Sequence, residues 1–164
     1  MLLCVAIDVA RAVQYANAPR GIRDAPSDSG VTLRPLYNAL TRLDRVVAEV
    51  AAEMKLMMAD TADPAAVRDL NDRLTLAERA LCAREGLRDR SWFKHLVYAP
   101  GFFNSYGTDH FPAITDALCH TLDTDSSCIP DWKYTRQAIA RTAEAVNEVV
   151  DVLQPTSVSF RSTI

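Results

Sequence analysis

The sequence is poor in the residue patterns that build most self-sufficient catalytic centres. Its five glycines stand apart from one another, so no glycine-rich turn is available to cradle a phosphate. The three histidines, His95, His110 and His120, show neither H-x-x-x-H nor H-E-x-x-H spacing. A two-metal hydrolytic site would need several His and carboxylate ligands plus a general base. No G-x-S-x-G elbow marks a nucleophilic serine. The four cysteines, Cys4, Cys82, Cys119 and Cys128, include no C-x-x-C pair. The set His110, Cys119, His120 and Cys128 fits no standard zinc finger. Positive charge is equally scarce as a block: the net charge is −3, with Arg and Asp interleaved. A nucleic-acid-binding face is thereby excluded, as is a charged tail. No stretch approaches the roughly 20 apolar residues of a membrane span. The apolar opening Met1–Ile7 lacks a basic start and is broken by Asp8 and Arg11, so a signal peptide is not expected and the chain reads as soluble. No N-x-[ST] acceptor is present.

What remains has the make-up of one folded domain. Hydrophobic residues make up 49% and charged residues 24% of 164 positions. A chain of this size buries roughly 70% of the surface that its unfolded form exposes. A core therefore needs neither disulfide nor metal. The cysteines are expected mainly as small buried apolar residues. Cys119 and Cys128 also bracket a polar turn, Asp123–Ser127, and could close a short loop in an oxidising compartment.

The periodicity is helical nearly throughout. Leu33, Leu36, Leu40, Leu43, Val47, Val50, Met54 and Met57 recur at alternating intervals of three and four. Such a narrow stripe suits near-parallel packing in a bundle. Asp63-Pro64 reads as an N-cap followed by proline at the first helical position. A second stripe follows at Val67, Leu70, Leu74, Ala77 and Leu81. A third carries Ile114, Leu118 and Leu122, and a fourth carries Trp132, Ile139, Ala143, Val146, Val150 and Leu153. Leu2, Val5, Val9 and Val13 align at the start. The expected fold is all-α: a four-helix bundle plus an N-terminal helix. The helices are placed at 2–16, 32–59, 64–84, 112–123 and 130–153, with a tail over 155–164. Met57-Met58 and the Ala48, Ala51, Ala52 flank are candidates for a partner surface beyond the bundle's own core.

The connection 86–111 departs from this plan. Helix–helix connections in bundles usually take about 2–8 residues. This one holds Trp92, Phe93, Tyr98, Phe102, Phe103, Tyr106 and Phe111, seven of the twelve aromatics. Such a composition predicts a packed, ordered loop whose rings anchor the backbone. His95–Tyr98 alternates as a short extended piece would, Ala99-Pro100-Gly101 is read as a turn, and His95 is expected to bond locally. Asn104-Ser105-Tyr106 presents an amide, a hydroxyl and a phenol, a set able to bind a carboxylate or a peptide group.

Glu78-Arg79-Ala80, Gly86 through Pro100, Asn104–Gly107 and Phe111–Leu118 together resemble the helical C-terminal domain of the glutamate carboxypeptidase family. That family includes folate hydrolase (prostate-specific membrane antigen), and the transferrin receptor shares the domain in divergent form. The likeness is dense over 78–118 and looser from about residue 9 to 153, taking in Asn71–Leu74. It implies a bundle that dimerises with a second copy, and a loop that reaches the active-site entrance of a neighbouring protease domain. In the glutamate-preferring members an Asn-Lys-Tyr run on that loop contacts the substrate. Asn104 and Tyr106 match it and carry over as candidate substrate-binding residues for a peptide. Ser105 stands where the family has lysine, and a hydroxyl cannot supply the cationic half of a carboxylate clamp, so glutamate selectivity does not carry over. The resemblance further implies no cofactor in this chain, with zinc confined to a protease domain outside it. Family members are typically membrane-anchored and face the lumen or the extracellular space. The alternative implied role is a receptor-like or scaffolding module without peptidase activity.

Overall fold

The computed structural model describes residues 22, 25–59, 62–103 and 107–155; the helix expected over 2–16 and the tail after Pro155 lie outside them. Among the described residues the order is α1 (Arg34–Ala59), α2 (Pro64–Ala80), β1 (Tyr98–Pro100), β2 (Thr108–His110), α3 (Pro112–Leu118), β3 (Thr121–Leu122), β4 (Cys128–Ile129) and α4 (Trp132–Leu153). The chain is mostly helical. The all-α expectation holds roughly: among the described residues the only strands are two short antiparallel hairpins, β1–β2 and β3–β4.

The helices form where apolar spacing gives each a single face to bury. α4 is central and packs against α1, α2 and α3. Leu36, Leu40, Leu43, Val47 and Val50 of α1 are buried, as are Ile139, Ala143, Val146, Val150 and Leu153 of α4. Each Leu, Ile or Val so buried stabilises the fold by about 1.5–3 kcal/mol relative to leaving it in water. Thr135 and Thr142 lie in the same interior, and their hydroxyls donate to the Asp131 and Ala138 carbonyls one turn back. Helix starts follow the sequence signals. Asp63 accepts from the Ala65 N–H at 3.1 Å with Pro64 behind it, and Asp131 accepts from the Tyr134 N–H at 3.0 Å. Arg73, buried on α2, donates to Asp69, to Glu53 of α1 and to the Leu153 carbonyl that ends α4. One cation thus ties three helices at one end of the bundle.

Two helix ends fall short of expectation. The helix expected over 64–84 stops at Ala80, because the residues beyond it pair with returning chain around Lys94–Leu96. The helix expected over 112–123 stops at Leu118: Cys119 leaves the helical region (φ −132°, ψ 65°) and the chain passes into β3. Leu122 is therefore 45% exposed rather than part of the core stripe. Cys119 and Cys128 are joined by a disulfide across the β3–β4 hairpin. The Asp123 carboxylate closes its turn by accepting from the Asp125 and Ser127 N–H groups at 2.9 and 2.8 Å.

Candidate functional site

The segment between α2 and α3 is a folded element with its own supports. Ala83 N–H donates to the Lys94 carbonyl at 2.8 Å and Leu96 N–H to the Leu81 carbonyl at 2.9 Å. Between them Cys82 and His95 form an antiparallel bridge. Gly86 makes the reversal possible: its φ is +75°, and a Cβ there would overlap the Ser91 carbonyl. Arg141 of α4 donates to the Gly86 carbonyl and to Glu85, while Arg88 pairs with Asp131 at 2.8 Å and lies over the Tyr134 ring. That pairing holds the Asp131 carboxyl below the usual carboxylate range, helped by the Tyr134 N–H.

Only some of the rings are anchors: Phe111 is buried, and Phe93 and Tyr98 pack against the core. Trp92 is 71% and Phe103 53% exposed, and Phe102 is also exposed. Of the described aromatics here only Phe111 is fully buried; the other buried anchors are Leu87, Leu96, Val97 and Ala99. Ala99 and Pro100 belong to β1 rather than to a turn. Phe111 occupies the left-handed region (φ 55°, ψ 56°) at the corner between β2 and α3. A bulky residue adopts that conformation only when its surroundings impose it. Here the Phe111 N–H is held by the Val97 carbonyl at 2.7 Å and its ring is buried.

The β1–β2 ladder runs Tyr98↔His110, Ala99↔Asp109 and Pro100↔Thr108, which makes 101–107 the hairpin tip. Asn104, Ser105 and Tyr106 fall in that tip and lie outside the described residues. The flanks on either side are fixed. At their base Arg90 forms a buried fork with Asp116 of α3, from Nε to Oδ2 at 3.0 Å and from Nη2 to Oδ1 at 2.8 Å. The remaining nitrogen, Nη1, donates to the Pro100 carbonyl where β1 meets the tip. Only 6% of the Arg90 and 8% of the Asp116 side chain is exposed. The guanidinium also sits 5.5 and 5.7 Å from the Phe93 and Phe102 ring centroids. Burial pushes the Asp116 carboxyl above its ordinary range, and Arg90 pulls against that shift. Beside this pair Arg88, Asp89, Phe102, His120 and Tyr134 line a shallow cleft.

A second polar cluster grips the start of β1. His95 Nδ1 accepts from the Val97 and Tyr98 N–H groups at 3.1 and 3.3 Å, and its ring stacks on Tyr98 at 3.9 Å. Tyr98 donates its hydroxyl to Glu78 Oε1 at 3.1 Å, and His95 Nε2 lies 3.5 Å from the same oxygen. The local bonding expected of His95 is therefore present, but His95, Glu78 and Tyr98 face one another. They act as a latch between α2 and β1.

The zinc grouping of His110, Cys119, His120 and Cys128 does not form, since the disulfide consumes both thiols. Among the described residues no three His, Cys, Asp or Glu side chains converge. Cys82 is an exposed free thiol rather than a core residue. Partial burial raises its pKa, with help from Glu78.

Sequence reasoning missed Arg90, Asp116 and Glu78 as supports of the tip. Arg90 and Glu78 sit in stretches of mixed charge, and none of the three belongs to a motif of its own. The one available signal was Asp116 itself, the single charged residue of a short helix that is otherwise apolar but for Thr115.

The chain matches the model of the transferrin receptor-like dimerisation domain over residues 31–154. It is 33% identical over 143 residues to the probable glutamate carboxypeptidase AMP1 of Arabidopsis thaliana, covering 82% of this chain and 20% of that protein. It is 34% identical over 145 residues to the probable glutamate carboxypeptidase VP8 of Zea mays, again 82% and 20% of the two chains. Similarity to the aminopeptidase NAALADL1 of Rattus norvegicus is 23% over 125 residues, or 76% of this chain and 16% of that one. The chain thus spans about one fifth or less of the length of the curated relatives it matches.

Proposed function

The chain belongs to the transferrin receptor-like dimerisation domain family, and from that premise we propose that it is the C-terminal dimerisation and substrate-loop domain of a zinc-dependent glutamate carboxypeptidase-like peptidase. In this reading the bundle pairs with a second copy. The 101–107 tip meets a peptide at the mouth of a protease domain, where Asn104 and Tyr106 contact it. The zinc and the general base belong to that protease domain, and this chain contributes no catalytic group.

The observation that carries the substrate half is the anchoring of the tip. Both its flanks are paired, and the Pro100 carbonyl at its entrance is fixed by a buried guanidinium. A contact loop gains from such preorganisation because less freedom is lost on binding. Ser105 supports a second reading, a receptor-like or scaffolding module, since it removes the cation that a glutamate-specific clamp would use.

The experiment separates the parts. This chain at tens of micromolar should sediment as a dimer, the range expected for a moderate interface, and should hydrolyse no peptide with added zinc. Turnover abolished by a chelator, or a strict monomer, would overturn the corresponding half. In a polypeptide that joins this chain to a peptidase domain, Asn104→Ala and Tyr106→Phe should each raise KM by about three- to tenfold, the loss of one hydrogen bond. Unchanged KM in both variants would favour the scaffolding role.

A further inference from the structure

Two backbone donors, the Val97 and Tyr98 N–H groups, converge on His95 Nδ1. A nitrogen that accepts them carries a lone pair, so the neutral ring has its hydrogen on Nε2. That atom is buried and without a hydrogen-bond partner of ordinary length; the Glu78 oxygen it faces lies 3.5 Å away. A second proton therefore has one place to go. Arriving on Nδ1, it turns the acceptor into a donor that confronts two other donors.

The position of those donors gives the event a consequence. Tyr98 opens β1, paired with His110, and the Val97 carbonyl holds the strained corner residue Phe111. Residues 95–98 are thus the point from which the first flank of the tip is hung. We propose that His95 is a positioning residue that makes the anchoring of the 101–107 tip depend on pH: the neutral imidazole fixes β1, and the imidazolium releases it. That the tip meets a substrate rests on the function proposed above; the latch itself does not.

The groups facing the ring are Glu78 from α2, Cys82 across the bridge and Tyr98 stacked upon it. The neighbouring ammonium of Lys94 is turned away onto the Arg84 carbonyl. Glu78 favours the imidazolium, but Tyr98 already donates to its nearer oxygen. Burial is the larger influence and holds the His95 pKa below its usual value against the pull of Glu78. A histidine shifted down on folding stabilises the fold above its unfolded pKa, about 6.5. That contribution is lost as pH falls through the lower, folded pKa. The latch is closed at neutral pH and opens in acid.

The test needs only this chain, labelled with nitrogen-15. At pH 8 the imidazole signals should report the Nε2–H tautomer. As His95 titrates between pH 8 and 4.5, the exchange protection factors of the Val97 and Tyr98 amides should fall about tenfold, the loss expected for one or two ordinary hydrogen bonds. The variant His95→Asn places an amide oxygen near the position of Nδ1 and accepts at every pH, so its protection should stay level. An Nδ1–H tautomer at pH 8, protection unchanged through the titration, or His95→Asn declining in parallel with the natural chain would overturn the proposal. Should that variant not fold, the natural chain's titration decides alone. No peptidase or substrate enters the measurement, so the latch and the substrate reading fail separately.

Discussion

Replacing Arg90 by Met and Asp116 by Leu, singly and together, tests whether the fork between them is the pin of the segment. Both side chains are buried, at 6% and 8% exposure, and the three shortest guanidinium–carboxylate contacts lie between 2.8 and 3.0 Å. Removing one partner of such a pair leaves a charge buried without compensation, at a cost of about 3–5 kcal/mol. That is a large part of the roughly 5–15 kcal/mol stability of an ordinary domain. With a urea slope near 2 kcal/mol per molar, each single variant should move the unfolding midpoint down by about 1.5–2.5 M. The double variant removes both charges and should lose only about 2 kcal/mol, mostly because the Pro100 carbonyl loses its donor. The two single losses must therefore sum to far more than the double.

The single variants should also differ in their response to pH. Burial already pushes the Asp116 carboxyl upward, with Arg90 opposing. Without Arg90 the carboxyl can escape its charge by taking a proton. A carboxyl whose folded pKa is raised contributes stability in acid and loses it as pH climbs through that pKa. The Arg90→Met deficit should therefore be greatest near pH 8 and shrink toward pH 5. Asp116→Leu leaves a guanidinium that cannot deprotonate, and its deficit should not shrink in this way. Urea titrations followed by circular dichroism at both pH values read all four proteins. Single losses under about 1 kcal/mol, or losses that simply add, would refute the claim that these groups act as one clamp.

Two further outcomes follow from the supports of the segment. Gly86→Ala should lower stability by about 2 kcal/mol or more, since it forces a side chain into a positive φ and against the Ser91 carbonyl; a thermal midpoint within a degree of the natural chain would contradict this. Reducing the Cys119–Cys128 bond should cost about 2–3 kcal/mol on a loop-closure estimate for so short a loop, and amide exchange should locate the loss at 119–131 rather than in α1.

The helical frame was legible because burial of one face dominates helix stability, and the stripes in α1 and α4 are long enough to read. Asp63-Pro64 declared a helix start by chemistry that acts within three residues. Helix ends were less legible. Ala80 and Leu118 are followed by residues that would continue a helix on their own spacing. What stops them is pairing with distant chain, Leu81 with Leu96 and His120 with Ile129, which leaves no local trace. The rings of 86–111 were only partly informative. Composition marks a segment as special without saying which side chains are buried, and here Leu87, Leu96, Val97 and Ala99 share the interior with Phe111 while Trp92, Phe102 and Phe103 stay exposed. The candidate pair Asn104 and Tyr106 was raised by side-chain chemistry and singled out by the resemblance. Their supports were missed because a long-range ion pair such as Arg90–Asp116 has no spacing rule.

The two clamps share a property that bears on how such a domain could change its partner. Arg90 grips the Pro100 carbonyl, His95 accepts from the Val97 and Tyr98 amides, and the Val97 carbonyl holds the Phe111 amide. Every one of these contacts ends on backbone, and each is made by residues outside 104–106. A support that reads the main chain does not depend on which side chains the tip displays. A change of residue at position 105 would then leave the described supports of the flanks in place. The separation also explains why the ion pair is worth keeping although burial disfavours its carboxylate. Two apolar residues could fill the same space, but neither could hold the Pro100 carbonyl and α3 at once.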